Sequence, residues 1–325
     1  MKTKYKVVSL FSGFGGMDLG ICGGFTYLGR TYSEHGASIE LATDYDYRVA
    51  ETYNTNFEHE ILIRDIRDLD AQDVPEHDIL TGGFPCQSFS VAATNPPRLG
   101  YKDIRGQLFF EMVRILSLRK PDVFVAENVK GLLSANKGAA FPLVLNEFEA
   151  AGYFVKWKVL NAVHFGVPQK RERVFLVGFK SEEVASRFRF PVGQATSPTP
   201  LSEVLEAESV DDSFFFSDKA VRGMLETKNS KIMNKGRAQS PDSPCNTVGA
   251  HLAKVSLNST DPVFLDSGRY RMFTPREVAR IQSFPESFGL PSSKSVSYRG
   301  LGNAVAPVMM WHVMKEIRAA LEHRV

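Results

Sequence analysis

The sequence is poor in cysteine, in long apolar stretches and in net charge. Its three cysteines, Cys22, Cys86 and Cys245, lie far apart and follow neither a disulfide nor a metal-ligand spacing. We therefore expect no metal site, and a reducing cytoplasm as the location. No stretch approaches the roughly 20 apolar residues that span a bilayer, and the apolar run at residues 7–11 is too short for a signal peptide.

Composition bounds the class of protein without identifying a partner. The 325 residues suffice for two domains. A content of 43% hydrophobic and 23% charged residues is typical of a soluble globular protein. The formal net charge is only +2. A nucleic-acid partner would need clustered basic residues, which net charge does not reveal.

The stretch at residues 81–90 presents one thiol directly after a turn. The short run 78–80, which ends in the apolar Ile79 and Leu80, predicts a buried strand, and the glycines and proline at 82–85 predict the turn that precedes Cys86. Open α/β sheets bind ligands at this end of their strands. A thiolate is a strong nucleophile, but most free cysteines are buried and structural. These residues alone leave both interpretations open.

Two further strand ends carry groups suited to a ligand. Residues 7–11 predict a strand that runs into the glycine turn 12–16 and a helix at 17–21, an order typical of Rossmann-like nucleotide pockets. No Gly-Lys-Ser/Thr follows, so this is not a phosphate loop. The strand at 38–43 ends in Asp44, which suits hydrogen bonding to a ribose diol. For the neighbouring Asp46, a structural role as the N-cap of a following helix competes with a role in ligand binding.

A carboxylate and a basic stretch follow later strands. Glu127 ends the predicted strand 121–126, where a carboxylate suits general-acid chemistry, although a lone glutamate there is more often structural. The basic residues within 169–173 lead into the predicted strand 174–178. They are poor core residues and suit phosphates or a carbonyl oxygen at its rim.

The rest of the sequence predicts further helices and strands and one loop-rich segment. Helices are predicted at 108–116, 141–151 and 308–321, and a strand at 153–160. Residues 191–250 are loop-rich, which indicates a second domain. Thr274 as N-cap, Pro275 at the first helical position and Glu277 predict another helix.

These stretches together resemble the motifs of the DNA (cytosine-5)-methyltransferases, in that family's order. The resemblance is carried by 83–90 (Gly-Phe-Pro-Cys-Gln-Ser-Phe-Ser), the glycine turn, Glu127-Asn-Val, Gln169-Lys-Arg-Glu-Arg and Gly302-Asn-Ala-Val. It implies an α/β fold, with a Rossmann-like, S-adenosylmethionine-dependent methyltransferase domain and a smaller, loop-rich target-recognition domain. The implied division is 1–185 and 297–325 for the catalytic domain and 186–296 for the recognition domain.

The resemblance also implies roles for individual residues. Cys86 would attack C6 of cytosine, Glu127 would bind its exocyclic amine and N3, and Arg173 would bind its O2. The implied S-adenosylmethionine site consists of Phe11 near the adenine, Gly13 and Gly15 beside the methionine part, Asp44 at the ribose, Tyr45, Asp65 and Ile66 at the adenine, and Phe14, Gly16, Pro85, Leu108, Asn303 and Val305. The implied DNA contacts are Gln87, Ser90, Arg98, Arg171 and Thr247, with the closing loop as the alternative partner of Arg171.

The partners implied are those of a bacterial restriction–modification methyltransferase. We expect a monomer that acts on duplex DNA in the bacterial cytoplasm or nucleoid, without a membrane, and a cognate restriction endonuclease that acts separately. Residues 91–106 predict a lid that closes on DNA. Two features depart from the family pattern: Asp44 stands where glutamate is more frequent, and the link at about 23–36 is longer by roughly eight residues.

Two alternatives remain from the sequence. A tRNA cytosine-5 methyltransferase on the same fold would show Cys-Phe-Thr near residues 273–274, but Met272 precedes Phe273 here. A non-catalytic DNA-binding relative would be expected to lose the nucleophile or the glycine turn, and both are present.

Overall fold

A computed structural model describes residues 5–85, 107–193, 197–226, 238–252, 263–266 and 268–322. Its strands are β1 (Tyr5–Leu10), β2 (Phe25–Tyr27), β3 (Arg30–Tyr32), β4 (Ala37–Asp44), β5 (Leu62–Ile63), β6 (Ile79–Gly82), β7 (Val123–Val129), β8 (Phe154–Asn161), β9 (Gln169–Lys170), β10 (Glu172–Phe179), β11 (Ala238–Gln239), β12 (Cys245–Asn246), β13 (Val263–Asp266) and β14 (Arg269–Arg271). Its α-helices are α1 (Gly16–Cys22), α2 (Ala50–Asn56), α3 (Gln107–Arg119), α4 (Ala140–Ala150), α5 (Glu182–Arg187), α6 (Asp218–Glu226), α7 (Pro275–Ile281), α8 (Lys294–Asn303) and α9 (Pro307–Glu322).

Within the described residues, seven strands form one sheet in the order β5-β4-β1-β6-β7-β10-β8. The neighbours from β5 to β7 are parallel, and β10 is antiparallel to both β7 and β8. From β1 the chain continues to β4 on one side and later to β6 on the other, which creates a switch point. The carboxyl ends of such strands form a crevice outside the sheet, and this confirms the predicted Rossmann-like fold.

Each face of this sheet covers its own hydrophobic core, because successive side chains of a strand point to opposite sides. Val7 and Val125 lie in the core shared with α1, α7 and α9. Val8 and Phe124 lie in the core shared with α3 and α4. The same alternation sends Glu127, two residues after Val125, to the first face.

The longer link noted in the sequence folds as the hairpin β2–β3. The rings of Phe25 and Tyr32 stack with centroids 5.0 Å apart, and Tyr32 meets Trp311 of α9 edge-on at 5.3 Å. The Trp311 indole N–H donates to the carbonyl of Ser33 at 2.8 Å, and the Tyr27 hydroxyl donates to the carbonyl of Arg280 at 2.7 Å. The extra residues therefore attach both α7 and α9 to the early part of the chain.

The later part of the chain adds small sheets and returns to the first core. The strands β11, β13 and β14 form one small sheet, and β12 pairs with β9. Val248 and Val278, which belong to the predicted unit 186–296, pack into the core of the first face. The division at 186 and 296 stays a prediction.

Most predicted elements are confirmed, and helix α7 begins as expected. The Thr274 hydroxyl accepts from the Glu277 N–H while the Glu277 carboxylate accepts from the Thr274 N–H, with Pro275 in the first turn. Helix α8 was not predicted. No helix in the described parts of the chain is long and apolar enough to cross a membrane.

Candidate active site

A cavity of about 720 Å³ opens at the carboxyl ends of the parallel strands. Its walls come from the ends of β1, β4, β6 and β7, the start of β10 and the end of α8. The predicted residues that line it are Phe11, Gly13, Phe14, Gly16, Asp44, Tyr45, Asp65, Ile66, Pro85, Leu108, Glu127, Arg173, Asn303 and Val305. The sequence motifs therefore meet in one cavity although they are spread over almost 300 residues.

Glu127 and Arg173 form an ion pair at this cavity. The Arg173 Nε lies 2.8 Å from the Glu127 Oε1, and both residues are buried. Burial raises the pKa of Glu127, while the positive charges of Arg173 and Arg171 act in the opposite direction. The raised pKa makes the protonated carboxylic acid more accessible than in water. Such a group can donate a hydrogen bond to a ring nitrogen.

The chain leading to Cys86 is fixed beside this ion pair. The Asn128 side-chain amide donates to the Phe84 carbonyl at 2.8 Å, and the Phe84 ring packs against Phe109 with centroids 5.2 Å apart. A Cβ added at Gly83 would lie 3.4 Å from the Glu127 Oε2. The residues just before Cys86 therefore pass directly over the carboxylate.

Four predicted site residues lie outside the described residues. They are Cys86, Gln87, Ser90 and Arg98. Their roles as the nucleophile and as DNA contacts stay predictions.

Carboxylates also shape the opposite end of the cavity. The two oxygens of Asp44 accept from the backbone N–H groups of Gly13 and Asp46, each at 2.9 Å. Burial raises the pKa of Asp44, and these N–H bonds oppose the shift. Asp46 caps the short 3₁₀ turn Tyr47–Val49, so the expected N-cap is confirmed. Tyr45, with 70% of its surface exposed, lies at the edge of the cavity.

The glycine turn requires one correction. Gly15 has a φ of +78° and precedes α1, and a Cβ there would collide with the ring of Phe57. Gly15 therefore faces the protein interior and does not line the cavity, contrary to its expected place beside the ligand. At Gly16 a Cβ would collide with the carbonyl oxygen of Val305. Only glycine permits this close contact between the turn and the returning chain.

Arg171 requires a second correction. It was expected to contact DNA, but only 1% of its surface is exposed. Its guanidinium donates to the carbonyls of Val248, Gly302 and Ala304 at 3.1, 3.0 and 2.8 Å. It would have to leave the core to reach a phosphate, so its role is to join three segments.

Thr247 lies on the surface next to this arginine. Its hydroxyl donates to the Lys170 carbonyl at 2.8 Å, and the Val248 N–H donates to the Gln169 side chain at 2.9 Å. The pair formed by Thr247 and Val248 is thus held against the basic motif. Its contact with DNA stays a prediction.

Four arginines at the cavity were missed from the sequence: Arg48, Arg64, Arg67 and Arg299. Arg48 and Arg67 each pair with the aspartate two residues earlier. Arg299 precedes Asn303 by four residues, a spacing that places both on one face of a helix. The sequence would have placed Arg299 beside Asn303 only if a helix had been predicted over Lys294–Asn303.

Comparisons with known proteins identify the family of the chain. A family model described as C-5 cytosine-specific DNA methylase matches residues 5–319. The chain is similar to the Type II methyltransferase M.NlaX of Neisseria lactamica, with 36% identity over 323 residues that cover 98% of this chain and 97% of the relative. It is also similar to the Type II methyltransferase M1.ScrFI of Lactococcus lactis subsp. cremoris, with 37% identity over 337 residues that cover 98% and 79%.

The fold is also found among solved structures. The S. pombe Dnmt2 methyltransferase superposes with a TM-score of 0.75 at 21% identity, and the match covers 98% of this chain and all of that one. The Entamoeba histolytica methyltransferase EhMeth gives a TM-score of 0.76 at 17% identity, covering 98% and 99%. At these identities the likeness establishes the fold.

Proposed function

Since this chain belongs to the C-5 cytosine-specific DNA methylases, we propose that its cavity holds S-adenosylmethionine beside a cytosine swung out of the DNA duplex, and that Cys86 adds to C6 of that base. The chain is a DNA (cytosine-5)-methyltransferase of restriction–modification type. The observation that carries the proposal is the buried ion pair of Glu127 and Arg173, in the same cavity as Pro85, the residue before Cys86.

The residues of the cavity fit S-adenosylmethionine, which the family implies. A volume of about 720 Å³ lies within the range of roughly 300–1,000 Å³ for small-molecule sites. A Cβ at Gly13 would meet no atom within 4 Å, so that part of the cavity is open to a ligand. Asp44 uses two of its acceptor positions for backbone N–H groups and has others for a ribose diol. When bound, the ligand would supply an electrophilic methyl group from its sulfonium sulfur, and the broken methyl–sulfur bond would leave S-adenosylhomocysteine as the product.

The proposed chemistry begins at Cys86. C5 of cytosine is a weak nucleophile, and addition of the Cys86 thiolate to C6 makes C5 an enamine carbon. The new S–C6 bond uses the sulfur lone pair, and the electron pair of the C5–C6 double bond becomes available at C5 for the methyl group. The C5 proton then passes to water, the C5–H electron pair re-forms the C5–C6 double bond, and the S–C6 electron pair leaves with sulfur, which restores the aromatic ring and the thiolate.

Glu127 and Arg173 would stabilise the charge that develops during this addition. The raised pKa of Glu127 favours the acid that donates to N3. Arg173 beside it would donate to O2, where negative charge also accumulates. Both side chains are held by their mutual ion pair before the base arrives, which reduces the reorganisation required.

The DNA must deform for this geometry to be reached. A base inside a duplex cannot meet three groups at once, so the cytosine must swing out at a cost of a few kcal/mol. Phosphate and base contacts by Gln87, Ser90, Arg98 and Thr247 would offset this cost. We propose that the chain acts as a monomer and that a companion endonuclease acts separately.

A covalent trap tests the proposed step. Bisulfite sequencing of DNA from cells that express the protein identifies the target sequence, and the same sequence is then made with 5-fluorocytosine, whose fluorine cannot leave as the proton does. We expect a protein–DNA adduct that survives denaturing gels. Cys86→Ser should form no adduct and should not methylate DNA, with its S-adenosylmethionine affinity retained. Glu127→Gln should form the adduct about 10²–10⁴-fold more slowly.

Two outcomes would contradict the proposal. One is full methylation by Cys86→Ser, and the other is the absence of any adduct with the wild type on a duplex that it methylates. A parallel assay with tRNA separates the remaining alternative, which predicts methyl transfer to tRNA and not to the duplex.

A further inference from the structure

A buried chain of hydrogen bonds runs beneath the glycine turn. We call it the Asp18 network and define it by Ser9, Ser12, Asp18, Tyr53 and His59. The Asp18 carboxylate accepts from the Ser9 hydroxyl at 2.5 Å and from the Tyr53 hydroxyl at 2.6 Å. The Ser12 and Ser9 hydroxyls are 2.8 Å apart, and the His59 Nε2 is 2.8 Å from the Tyr53 hydroxyl.

Each hydroxyl has one proton to donate, so with Asp18 ionised the Ser9 and Tyr53 hydroxyls both donate to its carboxylate. The Tyr53 oxygen then accepts from the His59 Nε2–H. The Ser12 hydroxyl lies within donating distance of the Ser9 hydroxyl at 2.8 Å and of the Ser9 carbonyl at 3.1 Å. Changing one member alters the donors available to the next.

The network contacts the ligand cavity at one end only. Ser9 and Ser12 line the cavity, whereas Asp18 and Tyr53 are buried outside its lining. Ser12 begins the glycine turn, and its N–H donates to the Thr43 carbonyl at 2.9 Å. A Cβ at Gly15 would lie 3.0 Å from the Tyr53 ring. The turn therefore rests on the tyrosine that also carries the central hydroxyl.

Burying the Asp18 carboxylate is costly unless both of its oxygens accept hydrogen bonds. Asp18 has no exposed surface, and a carboxylate buried without partners would cost several kcal/mol. Its two hydroxyl partners come from β1 and α2, on either side of the turn. The Asp18 carboxylate therefore links β1, which leads into the glycine turn, to α2, whose Tyr53 packs against that turn.

We propose that the Asp18 network fixes the conformation of the glycine turn that receives S-adenosylmethionine, so that Asp18 and Tyr53 are positioning residues for cofactor binding. This inference rests on the proposed function of the cavity. It assigns a role to two residues that touch neither the cofactor nor the base. It also explains why a carboxylate lies in a core that an apolar side chain could fill.

Calorimetric titration of S-adenosylmethionine into purified protein tests the inference. Tyr53→Phe keeps the ring under Gly15 and removes the hydroxyl between Asp18 and His59. We expect its dissociation constant to rise roughly tenfold, because binding would then have to fix a turn that the wild type holds in advance. The turnover number at saturating cofactor should stay within about twofold, because the ion pair at Glu127 is untouched.

Tyr153→Phe is the matched control. The buried Tyr153 hydroxyl donates to the Pro121 carbonyl at 2.9 Å, away from the cavity. This variant also loses a buried tyrosine hydroxyl and should melt at a lower temperature than the wild type, with unchanged cofactor affinity. Equal affinities of Tyr53→Phe and the wild type would overturn the inference. A wild type that binds no S-adenosylmethionine would instead contradict the proposed function.

A double-mutant cycle adds a readout that a merely structural role would not move. Ser12→Ala removes the opposite end of the network at a partly exposed position, so it also serves if Tyr53→Phe does not fold. We expect Ser12→Ala to weaken cofactor binding and the combined variant to lose at least threefold less affinity than the product of the single losses. Independent effects of the two substitutions, or unchanged binding by Ser12→Ala, would count against a connected network.

Discussion

Two arginines separated by one residue end in different chemical environments. Arg171 donates to three backbone carbonyls in the core, and Arg173 pairs with the carboxylate of Glu127 at the cavity. Both leave water, but the first satisfies orphan carbonyls and the second fixes a reactive group. The type of residue therefore identified neither role, because the partner determines what a buried guanidinium does.

At the same scale, Asp18 should make the stability of the fold depend on pH. Burial raises its pKa from 3.8 to about 6, against the hydrogen bonds of Ser9 and Tyr53. The folded protein therefore binds this proton more tightly than the unfolded chain, and the free energy of unfolding falls as pH rises from about 4 to 6. A difference of about two pH units corresponds to about 3 kcal/mol.

Urea unfolding of the wild type and Asp18→Asn between pH 4 and pH 7 measures this dependence. Asparagine does not titrate. Between pH 4 and pH 7 the wild type should therefore lose about 3 kcal/mol of unfolding free energy relative to Asp18→Asn. Parallel curves would show that Asp18 keeps an ordinary pKa.

Among the secondary-structure elements, helix α7 has an N-cap that the sequence predicts and a buried ion pair that it does not. Its cap follows from Thr274, Pro275 and Glu277, which the sequence displays in order. The sequence does not display that Arg271, with 1% exposure, donates to both oxygens of Glu277 at 2.8 and 2.9 Å. The carboxylate thus serves the cap and a buried ion pair together.

We expect Arg271→Met to destabilise the protein by about 3–5 kcal/mol, because it leaves the Glu277 carboxylate buried without its cation. Thr274→Ala, which removes the cap and leaves the ion pair, should cost only about 1 kcal/mol. Urea unfolding at pH 7 measures both values. Similar losses for the two variants would mean that the ion pair contributes little beyond the cap.

Elements were predictable where a repeating pattern ran long enough. β1, β7 and β10 show apolar runs, and α4 shows helical periodicity, so their positions followed from the sequence. The hairpin strands β2 and β3 have three residues each, too few to establish an alternation. Helix α8 contains Gly300 and Gly302, which disfavour a helix. It forms where Gly300 packs so closely on the Phe14 ring that a Cβ would not fit.

Over the whole molecule, Arg171 acts as a junction between distant parts of the chain. Its three carbonyl partners belong to segments that are 77 to 133 residues away in sequence. Arg171 thereby joins the segment of Arg173 to the segment of Asn303, and both of these residues line the cavity. The family motif identified the residue, but the local sequence carried no information on these carbonyls.

Arg171→Met should therefore lower stability and leave the electrostatics of DNA binding unchanged. We expect a loss of about 3 kcal/mol or more in urea unfolding, since buried carbonyls lose their donors. The slope of the logarithm of DNA affinity against the logarithm of salt concentration should match the wild type, because no phosphate contact is removed. A slope smaller by about one would restore the original expectation of a phosphate contact.

Motif residues at strand ends could be placed from the sequence, and their supports could not. Asp44 and Glu127 line the cavity as expected, because the ends of parallel strands converge in any fold of this class. Gly15 and Asp18 depend on which side chain lies beneath the turn. That information is set by packing between elements distant in sequence.

The contact between Gly16 and the carbonyl of Val305 joins residues that leave the ribosome far apart in time. One wall of the cavity is formed by the end of β1 and the glycine turn, and the facing wall is formed by residues almost 300 positions later. Under the proposed function, a chain truncated before Val305 should therefore fail to retain the methyl donor. Methyl transfer would then require that both segments have been synthesised and have folded against each other.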